Sequence, residues 1–463
     1  MYVFVSRKTT AMPSHPSTAW LKRAEGLKGP AYKRLAQALE AAIAQGELQP
    51  GDQIPAQREV ARLVGIDFTT VTRAYALARE RGLIEGTTGR GTFVRSQTGE
   101  DEAGLVDLSM NLPPQPQGLN LSALLRETTG AVLARTDPAV MMAYHPGAGS
   151  LAQRAAAASW LAPTLGEVAP ERVLIGSGAQ TALSALLAML AQPGETILVE
   201  PLTYPGLLTA AAQRGLRVIP CPVDDEGLEP QALVKLCAEH RPRAICCTPT
   251  FQNPTTATMG AARREAIVAV AKAAGVAILE DDAYGLLPTA PLPALASLWP
   301  DGVFHIATIA KTLSPGLRIA FVVAPQDRVA GAAQALHAIA QMPAPLMAAV
   351  VTHWIRDGDA VRVLDGVRRE AITRRSLAAE ILPTAIGDPE SLHVWLDLPS
   401  RWSRGRLLEA ARARGLSLVD AETFRAPGVT QEGIRLSLGA PGKAATLARA
   451  LREVAGLLAA GPS

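Results

Sequence analysis

From residue 30 onward, apolar residues recur at intervals that predict helices over residues 30–46, 56–63 and 69–81. Two short strands follow, at residues 83–85 and 92–95, separated by a glycine-rich tip. Three helices and a hairpin within about 65 residues predict a winged helix-turn-helix, in which the third helix enters the major groove of DNA.

Beyond residue 121, short apolar runs alternate with helical patterns such as those over residues 180–191 and 261–274. This alternation predicts a mainly parallel, three-layer α/β domain. Ligands of such sheets bind beyond the carboxyl ends of the strands. The candidate strands are residues 172–175, 196–199, 217–220, 244–247, 276–280, 303–307 and 319–324.

Composition suggests where these domains begin and end. Residues 1–28 have no sustained period and contain scattered Pro, Ser and Thr, so we predict a poorly ordered extension. The winged helix-turn-helix then spans residues 29–96. Acidic residues, glycine and proline over residues 97–120 predict a partly extended linker to a body of residues 121–460.

The charge of the chain is unevenly distributed. Residues 1–98 carry 14 Lys and Arg against 8 Asp and Glu, whereas the remainder carries 31 against 34. A basic front segment on a mildly acidic body indicates an anionic partner for the front segment alone. A basic surface without a partner would give the same counts.

Two further features bear on the cellular compartment. No run of about 18 apolar residues predicts a membrane-spanning helix, and the short apolar start precedes its basic residues instead of following them. The four cysteines lack the spacing of metal ligands, so we expect buried, reduced thiols in a cytoplasmic protein. They are Cys221, Cys237, Cys246 and Cys247.

Four segments of the front, Pro30–Leu35, Gly46–Arg58, Thr69–Tyr75 and Gly89–Val94, follow one another in an order and spacing that resemble the DNA-binding domain of GntR-family regulators. One position departs from that family: Phe68 stands where an arginine is usual, so the operator sequence cannot be inferred by analogy. The resemblance implies DNA contacts by Arg58, Thr69, Thr70, Thr72, Arg73 and the hairpin residue Arg90.

The chemistry of these side chains fits the implied contacts. An arginine such as Arg58 can donate two hydrogen bonds to a guanine edge. Threonine hydroxyls and methyl groups suit phosphates and thymine methyls. Arg73 and Arg81 fit a solvated helix face equally well.

In the body, the distinctive residues follow the candidate strands. The small residues of Gly176–Gln180 open a helix, as in phosphate sites and also in plain turns. Tyr204 could stack on a flat cofactor or simply pack in its loop, and Asn253 offers an amide donor. The acids Glu280–Asp282 could bind a metal. No histidine is near them in sequence, so we favour one carboxylate facing a protonated ring nitrogen, and we expect no metal.

The stretch Thr308–Arg318 places Lys311 in a loop rich in small and hydroxyl residues. A lysine amine forms a Schiff base when its pocket lowers the pKa or a neighbour activates it. Thr308 and Arg318 could hold a phosphate, the arginine as a bidentate fork. Lys311 alone would fit a surface loop, but the surrounding motifs favour the Schiff base.

Together these motifs resemble, from about residue 110 to 440, the fold-type I pyridoxal-phosphate enzymes of the class I/II aminotransferase family. The resemblance implies pyridoxal 5′-phosphate, with Lys311 forming the internal aldimine and Asp281 pairing with the pyridinium nitrogen. It implies that Asn253 and Tyr284 bind the ring 3-oxygen and that Arg435 clamps a ligand carboxylate. The other implied cofactor contacts are Tyr204 on the ring, Gly178, Ala179, Gln180, Thr308 and Arg318 at the phosphate, and Tyr144 of the partner subunit.

Two positions depart from this family. Thr256 and Ala320 each stand where a glycine is usual. Each adds a Cβ atom near the expected pocket. This change bears on ligand shape and catalytic turnover more than on cofactor binding.

A GntR-like front on an aminotransferase-like body resembles the MocR subfamily of bacterial regulators. The resemblance implies a head-to-tail homodimer whose affinity for operator DNA responds to an amine or amino-acid effector. A small α+β subdomain of about residues 365–460 would shift in the response. Two alternatives stay open: a working aminotransferase with a vestigial front domain, and a regulator whose body is only a dimerisation scaffold.

Overall fold

The computed structural model divides into two compact units, which we call the front unit and the body. The front unit comprises Met1–Ala103 and Ser122–Leu124, and the body comprises Gly104–Leu121 and Leu125–Ser463. The predicted DNA contact Arg90 lies outside the described residues. The structure describes residues 16–49, 51–87, 91–95, 105–145 and 147–461.

The front unit has the winged helix-turn-helix fold that the sequence predicts. Its three strands form an antiparallel sheet in the order β1-β3-β2. The helices pack around a core that includes Leu39, Val60, Val71 and Tyr75. The elements are α1 (Pro16–Ala19), a 3₁₀ helix (Trp20–Gly26), α2 (Ala31–Ala44), β1 (Gln53–Ile54), α3 (Gln57–Val64), α4 (Phe68–Glu80), β2 (Ile84–Thr87) and β3 (Gly91–Val94).

Local chemistry sets the turn between α3 and α4. Gly65 ends α3 with φ = 69°, a left-handed conformation that favours glycine. Asp67 caps α4 by accepting a hydrogen bond from the backbone amide of Thr69 across 3.0 Å. The hydroxyl of Tyr75 donates to the Pro55 carbonyl oxygen at 2.7 Å, which fixes α4 against the start of α3.

The predicted N-terminal extension differs from the structure. From residue 16 it is helical, and Trp20, Leu21 and Ala24 are buried in the core of the front unit. These residues lie on one helical face, but the helical run is too short to show a sustained period in the sequence. Residues 16–26 are therefore part of the winged helix-turn-helix unit.

The body is built on a seven-stranded sheet in the order β5-β13-β12-β11-β10-β6-β7. All neighbours are parallel except β13, which runs antiparallel to β12 and β5, so the predicted mainly parallel sheet is confirmed. Its elements are β4 (Val106–Asp107), α5 (Leu121–Arg135), α6 (Pro138–Met141), α7 (Leu151–Leu165), β5 (Val173–Gly176), α8 (Ala179–Leu190), β6 (Thr196–Val199), α9 (Pro205–Gln213), β7 (Arg217–Pro220), β8 (Val223–Asp224), β9 (Gly227–Leu228), α10 (Pro230–His240), β10 (Ala244–Cys247), α11 (Ala261–Ala274), β11 (Ala277–Asp281), α12 (Leu295–Leu298), β12 (Val303–Thr308), β13 (Ala320–Val323), α13 (Val329–Ala340), α14 (Pro345–Arg356) and α15 (Asp359–Ile381).

Because β13 is antiparallel to its neighbours, its first residue lies at the end of the sheet where β12 and β5 finish. Ala320, its first residue, pairs with Thr308 at the end of β12 and with Gly176 at the end of β5. Arg318 lies just before β13 and is therefore at the same edge. This edge is the carboxyl end of the parallel strands, where ligands bind in sheets of this kind.

A second, smaller sheet closes the body, in the antiparallel order β14-β17-β16. The helices α15 and α17 pack against each other, and a separate apolar core includes Leu407, Ile434 and Leu451. The elements are β14 (His393–Asp397), α16 (Arg404–Ala413), β15 (Leu416–Ser417), β16 (Val419–Asp420), β17 (Gly433–Ser437) and α17 (Ala444–Ala460).

The predicted linker, residues 97–120, also differs from the structure in its second half. Residues 105–120 belong to the body, because β4 pairs with β15 and Leu108 is fully buried in the core of the small sheet. Proline and acidic residues made this half resemble an exposed linker in sequence, but its alternating apolar residues pack inward.

The expectations about membrane-spanning helices and about the cysteines can be compared with the described residues. None of their helices is both long and apolar enough to span a bilayer. All four cysteines are buried as free thiols, and burial raises the pKa of Cys221 to about 12.

Candidate functional site

Lys311 follows β12 in the loop at the carboxyl edge of the large sheet. Its amine donates a hydrogen bond to the backbone carbonyl oxygen of Asn111. Burial lowers the pKa of Lys311 to about 8, and the nearby cation of Arg435 acts in the same direction, while Asp281 opposes both. The amine is therefore partly neutral, and hence nucleophilic, at a pH slightly above neutrality.

Asp281 is the last residue of β11, one strand away from the lysine loop. Burial raises the pKa of its carboxyl to about 7, and the charge of Asp282 adds to this, whereas Lys311 and His305 oppose it. Its Oδ1 atom is buried and has no hydrogen-bond partner in the part of the chain that the structure describes. A buried, unpaired acceptor of this kind fits a cationic N–H group of a ligand.

Arg435, on β17, lies in the same pocket. Its Nη1 donates to Asn253 Oδ1 at 2.7 Å and its Nη2 donates to the Ser109 carbonyl oxygen. The guanidinium carbon also lies 4.9 Å from the centre of the Phe424 ring. Arg435 is only 6% exposed, and burial lowers its pKa to about 10, so it remains a cation.

A second group of predicted residues surrounds the start of α8. A Cβ atom built on Gly178 would lie 2.8 Å from Arg318 Nη2, so the guanidinium fits directly against this glycine. Gln180 Nε2 donates to the Gly206 carbonyl oxygen at 2.9 Å, and the Tyr204 ring packs beside the same glycine. Ala179 is the first residue of α8. The backbone N–H groups in the first turn of a helix have no acceptor within the helix, so they can bind an anion.

Thr308 completes this group at the end of β12. Its hydroxyl accepts a hydrogen bond from the backbone amide of Ala310 at 3.2 Å, and it is 8% exposed. The pKa of Tyr204 is raised first by burial, with Asp281 acting in the same direction and Arg318 against it. Thr308 pairs with Ala320, which also pairs with Gly176 just before α8, so the group near α8 and the lysine loop after β12 lie at the same end of the sheet.

The two departures from the family pattern have distinct local settings. Thr256 is buried and has φ = 68°, a left-handed conformation that favours glycine. Ala320 is fully buried inside the large sheet, paired with Thr308 and Gly176. The Cβ of Ala320 is thus a fixed part of the sheet edge beside the candidate site.

Asn111 and His393 belong to this site, although the sequence alone did not indicate them. The amide Nδ2 of Asn111 donates to the Tyr284 hydroxyl at 2.9 Å and lies 3.1 Å from His393 Nδ1. The other ring nitrogen, Nε2, lies 3.2 Å from the Gln252 carbonyl oxygen and donates to it. Burial lowers the pKa of His393 to about 3, so the ring is neutral. A histidine directly before the apolar run Val394–Leu396 was the available signal.

A third missed residue is Glu200, which follows β6. It is 1% exposed, accepts a hydrogen bond from the Thr248 amide at 3.1 Å, and lies 3.2 Å from Gln252 Nε2. Burial raises its pKa to about 8, and the charge of Asp281 acts in the same direction. Glu200 is thus a buried, mainly neutral acid that fixes the loop carrying Asn253.

The acids beside Asp281 have a histidine partner that is distant in sequence. His305 Nδ1 lies 2.9 Å from Glu280 Oε2, and its Nε2 lies 3.8 Å from Asp282 Oδ2. The backbone amides of Leu295 and Ala296 also donate to Glu280. Among the described residues, no group of three or more His, Cys, Asp or Glu is arranged to hold a metal ion.

Tyr144 lies at the surface of its own chain. Its side chain is 80% exposed, in the stretch between α6 and α7. Large apolar side chains exposed nearby include Val140 and Met142. Its contact with a cofactor stays a prediction.

In the front unit, the predicted DNA contacts surround the first turns of α4. The Thr72 hydroxyl donates to Gln57 Oε1 at 2.9 Å, which sets the start of α3 beside α4. Arg58, next to Gln57, is exposed and forms no hydrogen bond or ion pair with any described residue. The hydroxyl of Thr69 donates to Asp67, and Thr70 is half-buried.

Arg73 is also exposed on α4, with its guanidinium carbon 4.5 Å from the centre of the Tyr32 ring. By contrast, Arg81 pairs with Glu40 at 2.7 Å. The free guanidinium of Arg58 and the exposed hydroxyls of α4 therefore form the basic, polar face of this unit.

Comparison with known proteins agrees with both units. Residues 103–454 match the family described as Aminotransferase class I and II, and residues 31–94 match the bacterial regulatory proteins of the gntR family. The HTH-type transcriptional regulator YdeF of Bacillus subtilis is 30% identical over 91% of this chain and 93% of its own length.

Two further similarities point the same way. A rhizopine catabolism regulatory protein, MocR of Rhizobium meliloti, is 27% identical over 78% of each chain. LysN, the α-aminoadipate aminotransferase of Thermus thermophilus, was solved with N-(5′-phosphopyridoxyl)-L-leucine. Its structure matches 84% of this chain and 98% of LysN with a TM-score of 0.72 and 26% identity. The chain therefore belongs to the GntR family of bacterial regulators, in the MocR subfamily, which joins a winged helix-turn-helix to an aminotransferase class I and II domain.

Proposed function

We propose that this protein is a DNA-binding transcriptional regulator whose body binds pyridoxal 5′-phosphate and senses an amine or amino acid. The observation that carries the proposal is that Lys311, in the loop after β12, and Asp281, at the end of the neighbouring strand β11, lie at the same end of the large sheet. The lysine has a pKa of about 8 and the carboxylate has a buried oxygen without a described partner. Perturbed groups of this kind are typical of functional sites.

The residues at both ends of the pocket fit this cofactor. Asp281 Oδ1 is an acceptor for the protonated ring nitrogen, and Lys311 supplies an amine for the aldehyde. Gly178 lets the Arg318 guanidinium lie directly against the start of α8, which is a suitable place for a phosphate. When bound, the cofactor supplies an aldehyde and an electron-accepting ring.

The chain's own residues would hold each part in place. Tyr284 and Asn253 would orient the ring oxygen, and Tyr204 would cover the ring face. Arg435 remains a cation in an almost fully buried position, so it is suited to bind a ligand carboxylate through two parallel hydrogen bonds. The expected ligand is therefore an amine that carries a carboxylate.

The front unit would bind operator DNA through the exposed side of α3 and α4. Arg58 is free to contact a guanine edge, whereas Thr69, Thr70, Thr72 and Arg73 lie on α4. Arg90 belongs to the predicted hairpin tip and is proposed to follow the DNA backbone.

We also propose that the protein acts as a head-to-tail homodimer. Tyr144 is 80% exposed and Met142 is 85% exposed, and large apolar side chains at a surface mark interaction sites. In such a dimer, Tyr144 would complete the phosphate site of the other subunit.

A working aminotransferase is the second candidate. The similarity to LysN and the presence of Lys311, Asp281 and Arg435 favour it. A regulator requires specific DNA binding, whereas an aminotransferase requires catalytic turnover. Turnover of an amino acid with an oxo acid at ordinary enzymatic rates, without specific DNA binding, would favour the enzyme.

The test uses the full-length protein loaded with pyridoxal phosphate. Its visible absorption is titrated with candidate amino acids and amines, and DNA fragments selected from the genome are tested for specific binding in parallel. The regulator is supported if one ligand changes both the absorption and the DNA affinity. It is overturned if the protein shows no cofactor absorption, or if Lys311→Ala leaves the ligand response of DNA binding unchanged.

A further inference from the structure

The chain enters the body through a short segment, residues 105–112, which we call the lead-in segment. Hydrogen bonds from its backbone hold its first part to β15 and the residue before it. The Val106 amide donates to the Gly415 carbonyl oxygen at 2.8 Å, and the Leu108 amide donates to the Ser417 carbonyl oxygen at 2.9 Å. In sequence, the lead-in segment is the first described part of the body after the front unit.

The second part of the lead-in segment is held by the two cations of the candidate site. Arg435 Nη2 donates to the Ser109 carbonyl oxygen, and the Lys311 amine donates to the Asn111 carbonyl oxygen. These are the cations through which a ligand carboxylate and a cofactor aldehyde would be bound. The Arg435 guanidinium also keeps a buried Nε atom without a described partner.

We propose that the carbonyl group of Ser109 is an internal competitor for the ligand carboxylate at Arg435, so that binding of an amino acid releases the lead-in segment. This inference rests on the proposed function and specifies its ligand class and its regulation. A carboxylate carries a full negative charge and accepts two parallel hydrogen bonds from a guanidinium, whereas a backbone carbonyl is neutral. The carboxylate therefore displaces Ser109 from Arg435.

A simple amine does not have the same effect. It can take the place of Lys311 at the cofactor, but it has no carboxylate to compete for Arg435. The contact between Arg435 and Ser109 then persists, and the lead-in segment stays fixed. The ligand class that drives the response is therefore the amino acids, which carry both an amine and a carboxylate.

The lead-in segment is suited to carry this signal because of its position in the chain. In the sequence, only residues 95–104 separate it from β3, the last strand of the front unit. The side chain of Asn111 adds contacts to Tyr284 and His393, so the same segment senses the cofactor end of the pocket. A ligand that binds the released arrangement more tightly shifts the population toward it.

The experiment compares two stable adducts, N-(5′-phosphopyridoxyl)glycine and N-(5′-phosphopyridoxyl)methylamine, on the full-length protein. They differ only in the carboxylate, and the absence of a side chain lets both enter a pocket of any specificity. Thermal shift establishes that each adduct binds. Hydrogen exchange is then followed in a peptide covering residues 105–112, with the buried strand β6 as the internal reference.

The glycine adduct should accelerate exchange of the Val106 and Leu108 amides about threefold or more relative to the methylamine adduct. Equal or slower exchange with the glycine adduct, when both adducts bind, would overturn the inference and leave the proposed function intact. If neither adduct binds, the proposed function fails and the inference fails with it.

A pair of variants tests the same step by removing the arginine, with both adducts compared again. In Arg435→Met, the lead-in segment should exchange fast with either adduct, because the donor to Ser109 is gone. Arg404→Met removes an arginine that pairs with Glu422 outside the site, and it should keep the difference between adducts. A persistent difference in Arg435→Met would contradict the role of Arg435.

Discussion

The side-chain amide of Asn111 donates a hydrogen bond to the Tyr284 hydroxyl across 2.9 Å, although 173 positions separate the two residues. The backbone carbonyl oxygen of Asn111 accepts a hydrogen bond from Lys311 as well. A segment that reads as a linker in sequence is therefore a wall of the candidate cofactor site. Occupancy of the site can thus act directly on the part of the body that follows the front unit.

Asp281→Asn should stabilise the cofactor-free protein in a pH-dependent manner. Asp281 has a pKa raised from 3.8 to about 7, so the folded state binds its proton more tightly than the unfolded state. Its carboxyl therefore weakens folding increasingly as the pH rises from 4 to 7. At pH 8 the variant should be more stable by about 1–2 kcal/mol in denaturant unfolding, and the gain should shrink toward pH 5.

With pyridoxal phosphate present, the wild type should instead be more stable than Asp281→Asn. The variant lacks the anion that faces the ring nitrogen, so its affinity for the cofactor should fall about tenfold or more. A cofactor-free variant that is less stable than the wild type at pH 8 would show that Asp281 is a structural residue instead of a binding residue.

Gly178→Ala should weaken cofactor binding, and Gly166→Ala should not. Both glycines have positive φ, 98° and 69°, so each substitution should cost about 1–3 kcal/mol of stability. Only at Gly178 does the new Cβ meet Arg318 Nη2, at 2.8 Å, whereas nothing lies within 4 Å at Gly166. Equilibrium titration with pyridoxal phosphate should separate the variants. Equal affinities would contradict the phosphate site.

Arg58→Ala should reduce the affinity for operator DNA about 10–100-fold, the value of one bidentate guanine contact. Its guanidinium is exposed and has no partner among the described residues. Arg81→Ala removes the same charge from an arginine already paired with Glu40, so its affinity should change less than about threefold. Fluorescence anisotropy on a selected operator fragment measures both. Equal losses would reduce the role of Arg58 to general electrostatics.

Mixed dimers should reveal which subunit supplies Tyr144. Lys311→Ala and Tyr144→Phe each impair the site in a homodimer. If Tyr144 acts on the partner's site, a dimer of the two variants contains one intact site, with Lys311 from one chain and Tyr144 from the other. Unfolding an equal mixture of the variants and refolding it should therefore restore cofactor absorption to about a quarter of all sites, because about half of the dimers are then mixed and each mixed dimer contains one intact site. No restoration would place Tyr144 in its own chain's site or outside both.

The sequence predicts the parts of the site that follow a regular pattern. Asp281 and Lys311 come at the ends of buried strands, and the carboxyl ends of parallel strands meet at one edge, so their proximity follows from the fold. Gly178 likewise opens a helix directly after a strand. Strand periodicity thus places the functional residues of the large sheet without knowledge of distant contacts.

The remaining parts depend on contacts between distant segments. His393 lies on the small sheet, 282 positions from Asn111, and its role follows only from the packing of that sheet against the pocket. His305 pairs with Glu280 because β11 and β12 are neighbours, which the order of residues does not reveal. Trp20 is buried by tertiary packing in a run too short to show a period.

The measurement that tests the central claim most directly is borohydride reduction of the full-length protein loaded with pyridoxal phosphate, followed by peptide mass analysis. The account predicts a phosphopyridoxyl group on Lys311, at close to one per chain. It also predicts that Asp281→Asn lowers the occupancy at limiting cofactor. A protein that gains no such mass, or gains it on another lysine while Lys311 stays unmodified, would contradict the account.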